Sequence, residues 1–202
     1  MNDQMNRKAF LAKAGAGTAA AAALPALLGA QEAFAGPSNG HRVYTFVSFS
    51  QAPTSGGVQP RIGARGSGTF DPHAGWVKGG GTFVLFNNAT AAPTPKPILA
   101  SGNWDPTEIV DYDTKGLGHY AGIQPAILTL KADWEGIGSG LTMELVCNVG
   151  PAGLATGEEE GWFLEDTPWG DFHPVVITAG TVSVPLGITH LSVEGVSTDQ
   201  GT

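Results

Sequence analysis

Glycine and proline interrupt this chain so often that most of it cannot form a long helix. They number 30 and 14 among 202 residues, and all but four lie beyond residue 35. Within a helix each glycine costs about 1 kcal/mol and each proline about 3 kcal/mol relative to alanine, so a helical bundle is excluded. Disorder is excluded as well. Hydrophobic residues make up 42% of the chain and charged residues only 14%, enough apolar surface to build a core. A turn-rich, mainly β domain fits both constraints.

The first 35 residues follow a different plan. Arg7, Lys8 and Lys13 give a basic start, residues 14–30 are weakly apolar, and Ala33-Phe34-Ala35 supplies a small-x-small ending. This layout predicts a helical signal peptide cleaved after Ala35. The core Arg7-Lys8-Ala9-Phe10-Leu11 resembles the twin-arginine export motif, with Lys8 in place of the second arginine and Lys13 one position late. The resemblance implies folding before transport. The expected partners are the twin-arginine or general export machinery and signal peptidase, and the expected location is periplasmic or extracellular. An uncleaved anchor is the competing reading, but Pro25 and several glycines break an apolar run already at the lower limit for a span.

The chain therefore divides into an export signal (1–35), a flexible arm (36–41), a single all-β domain (42–195) and a flexible tail (196–202). Cleavage removes Arg7, Lys8, Lys13, Asp3 and Glu32, which takes the formal net charge from −8 to −9. That charge repels phosphate backbones and anionic lipid, so neither nucleic acid nor stable membrane insertion is expected. The one cysteine, Cys147, cannot form an internal disulfide, so the domain must hold together by packing alone.

Strand signals run along the whole domain. Arg42 to Phe49 is rich in β-branched and aromatic residues, and Gln51 to Pro60 reads as a loop. Asp71-Pro-His-Ala-Gly75 has type I turn chemistry: Asp71 accepts backbone hydrogen bonds, Pro72 fixes its own φ, and Gly75 takes the left-handed position. The flanking Gly-x-Gly-Thr-Phe segments predict a hairpin whose strand glycines mark a sharp bend, as at a barrel corner. Ala89 to Pro97 reads as an extended, polyproline-like connection. Leu128, Leu130, Ala132 and Trp134 alternate with polar residues, and Leu141, Met143, Leu145, Cys147 and Val149 alternate with Thr142, Glu144, Val146 and Asn148, each pattern predicting a strand with one buried and one mostly solvated face. Val175–Thr178, Thr181–Val184 and Thr189–Val193 continue in kind. The expected fold is a single antiparallel β-barrel, with a β-sandwich as the alternative.

The block from Gly66 to Phe83, with Leu141 to Cys147 and the Glu160-Gly-Trp-Phe segment, is similar to uncharacterised exported bacterial proteins with twin-arginine leaders. That resemblance implies compartment and fold, and it brings no activity.

The chemistry is sparse. Cys147 lies in phase with core positions and has no basic neighbour to activate it. Asp111-Tyr-Asp113 opens like a calcium loop, but Lys115 and Gly122 stand where ligands are needed. Glu158 to Glu160 reads as a solvated charge cluster. The aromatic, acidic stretch from Gly161 to Pro174 is the candidate ligand cleft, with Trp162, Trp169, Asp171 and His173 as its lining. Asp171 and His173 would share a strand face, where the carboxylate could orient the imidazole. The expectation is an exported protein that binds a small ligand or surface partner without catalysis, using no cofactor or metal. The alternatives are a barrel-mouth hydrolase or cyclase/isomerase using Asp171 and His173 as acid and base, and a structural envelope component with a filled interior and an exposed apolar patch.

Overall fold

The computed structural model describes residues 41–114, 123–148, 157–180 and 182–193. The export signal with its Ala35 cleavage site, residues 36–40 of the arm, Val149 and the tail lie outside the described residues. Among the described residues eleven strands form: β1 (Arg42–Gln51), β2 (Pro60–Asp71), β3 (Trp76–Asn87), β4 (Ile98–Thr114), β5 (Ala126–Trp134), β6 (Gly138–Cys147), β7 (Gly161–Leu164), β8 (His173–Pro174), β9 (Val176–Ala179), β10 (Val182–Pro185) and β11 (Gly187–Val193). Eight follow one another in the order β11-β1-β2-β3-β4-β5-β6-β7, an antiparallel sheet curled into a nearly closed barrel. The single barrel is the architecture, and the sandwich is set aside.

Period-2 patterning decides what fills it. Leu128, Leu130, Ala132 and Trp134 of β5 face inward and are buried, as are Leu141, Met143, Leu145 and Cys147 of β6. Three tryptophans from three strands then stack across the interior. Trp104 lies 5.6 Å from Trp134 at 19° between planes, and Trp134 lies 5.3 Å from Trp162 at 26°. Phe46 bridges Trp104 and Trp162, and Phe83 packs on Trp134. An aromatic side chain of this kind buries roughly 150–250 Å², worth about 4–6 kcal/mol before entropy is subtracted. Among the described residues these stacked rings pack the middle of the barrel.

The glycine-rich hairpin makes this possible. Asp71 Oδ1 accepts the amides of His73 (2.9 Å) and Ala74 (3.0 Å), and Gly75 adopts φ 69°, so the turn forms as its residues dictate. Further along, the indole of Trp104 lies directly on the β2–β3 backbone. A Cβ at Gly66 would run into the Trp104 ring, and one at Gly81 into the Arg65 carbonyl. That same carbonyl accepts Trp104 Nε1 at 3.1 Å.

The barrel closes by a different device. Leu164 of β7 exchanges two backbone hydrogen bonds with Phe172, and the chain continues into β8, which pairs with β1. Beside this short ladder, Ser50 Oγ donates to the Trp162 carbonyl (2.5 Å) and Thr189 Oγ1 to the Gly161 carbonyl (3.3 Å). Ser48, Ser50 and Thr189 are the buried polar residues of the described core, and all three sit at this seam. Short hydroxyl side chains there satisfy carbonyls that a continuous ladder would otherwise pair.

Two expectations change. Ala89–Pro97 is a closed loop, not an extended connection: Asn87 N donates to the Pro97 carbonyl, and Lys96 Nζ caps the carbonyls of Ala89 (2.8 Å) and Ala92 (3.2 Å). A lysine able to reach back across the prolines folds the segment on itself. The β9–β10 hairpin stands apart from the barrel as its own two-stranded sheet, held at its base by Val175 and Leu186 bonding to Phe49. Asp111 to Thr114 belong to β4, while Lys115 and Gly122 lie outside the described residues.

Candidate functional site

On the outside of the barrel, alternation breaks down along three neighbouring strands. The outward positions Val47 and Phe49 of β1 and Val84 and Phe86 of β3 are apolar, where a water-facing sheet ordinarily carries polar groups. Register brings them together. Phe49 pairs with Gly63, Gly63 with Val84, Val47 with Arg65, and Arg65 with Thr82. Gly63 lacks a side chain, and the Phe49 ring lies in the space it leaves: a Cβ there would sit 2.7 Å from Phe49 Cε1. The result is a groove of about 290 Å³ floored by β2 and walled by Val47, Phe49, Thr82, Val84 and Phe86.

Arginine supplies its polar component. Arg65 Nε donates to Thr82 Oγ1 at 3.2 Å, and next along β2 Arg61 donates twice to Gln51 Oε1 at 2.9 and 2.6 Å. Both guanidinium groups thus bond to neutral acceptors in a chain whose net charge is −8. Burial lowers the Arg61 pKa from its ordinary value. An apolar trough beside uncommitted positive charge suits a partner presenting carboxylates among apolar side chains.

A second recess, about 420 Å³, opens at the barrel end between the Asp71–Gly75 turn and the end of β4. Arg42 stacks over Tyr112 at 5.0 Å, and both donate to Gln124 Oε1, at 2.8 and 3.1 Å. Burial pushes the Tyr112 hydroxyl up to about 12, so it stays protonated as a donor. Arg42 Nε is buried without a hydrogen-bond partner. Beside the recess, His41 meets Trp76 edge-on at 4.9 Å.

The residues singled out from sequence do not converge on a cleft. Trp162 is fully buried in the indole stack and unavailable to a ligand. Trp169 is half-buried against the core, in the turn tied by Thr167 and Gly170. Asp171 and His173 are exposed on either side of buried Phe172, so they do share a face, but that face is turned to solvent. Asp171 Oδ1 accepts the Asp166 amide at 3.2 Å, and His173 meets the Phe163 ring edge-on at 5.6 Å. Among the described residues, no three His, Cys, Asp or Glu side chains group as metal ligands would.

The groove escaped sequence reading because its strands were recognised by β propensity alone. The available signal was the apolar residues at both parities in Phe46-Val47-Ser48-Phe49 and Phe83-Val84-Leu85-Phe86. Compared with protein-family models, curated proteins and solved structures, the chain matches none. What the fold and site define is an antiparallel barrel with an aromatic-packed interior and an apolar groove on its outer wall.

Proposed function

We propose that this protein is an exported, non-catalytic binding protein that engages a surface partner through the groove over Gly63. The observation that carries this reading is the pairing of a filled interior with an apolar, arginine-edged trough on the outside. Exposed apolar area of this kind on a water-facing sheet marks an interaction site. Export rests on the leader, with its Arg7-Lys8-x-Phe10-Leu11 core and small-x-small ending. A water-facing barrel is supported by its polarity: apolar side chains fill the inside, and Arg65, Asp105 and Asp133 stand exposed outside, the reverse of a membrane-spanning barrel.

The test uses the chain's single buried cysteine to advantage. Val47→Cys gives a unique accessible thiol in the groove, and Ser55→Cys gives one on the exposed β1–β2 loop, outside the groove lining. A thiol-specific photo-crosslinker on the exported protein in its own envelope should give a discrete adduct at position 47 and none at 55. Adducts at neither position, or equally at both, would contradict the reading. The recess lined by Arg42, His73, Asp111 and Tyr112 supports a second reading, a small polar ligand. Native mass spectrometry of protein purified from its export route would show the extra mass.

A further inference from the structure

We propose that the partner in the groove is a second copy of this chain, whose acidic β4–β5 face docks there head to tail. This rests on the groove being the recognition surface.

The barrel divides its charge unevenly. The outward positions of β1–β3 carry Arg61, Arg65 and Lys78, with Asp71 confined to the turn. Those of β4–β5 carry Asp105, Glu108, Asp111 and Asp133, all exposed, against one cation, Lys131, which is the ladder partner of Glu108 and also donates to Thr142 Oγ1 at 2.9 Å. The acidic zone continues onto β6 at Glu144, whose carboxyl is held above its usual range by burial and by the charges of Glu158 and Glu165. Asp105 and Asp133 are direct partners in the β4–β5 ladder. Like charges placed so cost stability, and a cation from another molecule would relieve the repulsion.

The two faces meet where β3 pairs with β4, but the groove arginines lie on β2, one strand removed from that junction. In the ring of eight strands, β2 and β5 stand three apart and their outer faces point in different directions. Each face also presents exposed aliphatic surface: Val47 (57%) and Val84 (41%) at the groove, Val110 (52%) on β4. A molecule carrying a cationic apolar patch and an anionic apolar patch at different places is complementary to its own copies. Because the patches differ, the contact is heterologous and propagates into rings or open arrays. The net charge of −8 opposes association at long range, but at physiological salt it is screened beyond about 8 Å, while charges in contact are screened far less.

Sedimentation velocity on the exported, processed chain tests this with two variants. Arg65→Glu with Lys78→Glu reverses the basic face, and Glu108→Lys with Asp111→Lys reverses the acidic one; all four residues are exposed. The parent chain should grow past dimer with concentration. Each variant alone should associate at least tenfold more weakly, and an equimolar mixture should recover association, since the intact acidic face of one meets the intact groove of the other. That recovery also shows both variants folded. A parent chain monomeric up to about 1 mM, variants that associate as it does, or a mixture that stays monomeric would each overturn the proposal. The groove reading is judged separately by the Val47→Cys adduct: an adduct with a different polypeptide would keep the groove and remove the second copy.

Discussion

Gly81→Ala isolates the close approach on which the barrel corner depends. Gly81 is not among the glycines with positive φ, so an alanine there meets no backbone penalty. Its cost is steric. The new Cβ would run into the Arg65 carbonyl and lie 2.6 Å from Trp104 Nε1 and 2.7 Å from the Gly66 Cα. Two of those neighbours are backbone and the third is a fully buried indole, so none can swing aside. Overpacking of this sort costs about 1–3 kcal/mol. Displacing the indole also breaks the hydrogen bond from Trp104 Nε1 to the Arg65 carbonyl, and a buried donor left unsatisfied adds about 1–3 kcal/mol. We expect a loss of about 3–4 kcal/mol by urea denaturation, and a Tm lower by roughly 6–15 °C for a domain of this size. Gly75→Ala is the control. It has open space around its Cβ but φ 69°, so it should lose only about 1 kcal/mol, and for a different reason. Gly81→Ala within 1 kcal/mol of the parent protein would refute the argument that glycine is there to seat Trp104.

Three further outcomes follow from the core, the seam and the acidic face. Trp134→Ala removes the middle ring of the indole stack and should cost about 3–5 kcal/mol, with loss of the near-ultraviolet circular dichroism of the stacked indoles. Ser50→Ala and Thr189→Val each strip a buried carbonyl at the seam of its donor and should each cost about 1–2 kcal/mol, measured by denaturant unfolding. Glu144 binds a proton more readily in the folded state than unfolded, because burial and the charges of Glu158 and Glu165 raise its pKa. Its ionisation therefore opposes folding at pH 7, and the penalty fades as pH falls through the folded value and vanishes below the unfolded one. Glu144→Gln should gain about 0.5 kcal/mol at pH 7 after solvent screening, and the gain should shrink on acidification.

The alternating strands were legible apart from Val146, which the period assigns to the outer face and the structure buries. Leu128 to Trp134 and Leu141 to Cys147 bury the residues their period assigns, and Asp71-Pro-His-Ala-Gly75 makes the turn its chemistry requires. The seam was not legible, because Ser50 and Thr189 become seam donors only through pairings 112 and 28 residues away. The burial of Trp162 was not legible for a related reason. β7 is only four residues long, too short to show a period, and whether its tryptophan faces a cleft or the core is decided by β6 and the seam on either side. Asp171 and His173 share a face as their spacing implies, but spacing cannot say what that face meets.

Hydrogen exchange of the five indole N–H groups, followed by nuclear magnetic resonance, tests the solid interior most directly. The indoles of Trp104, Trp134 and Trp162 should exchange only through opening of the whole barrel, while those of Trp76 and Trp169, half-exposed, exchange quickly. Rapid exchange at Trp134, the ring in the middle of the stack, would mean that water reaches the centre, and the barrel would then be a vessel for ligands rather than a filled support for its outer face.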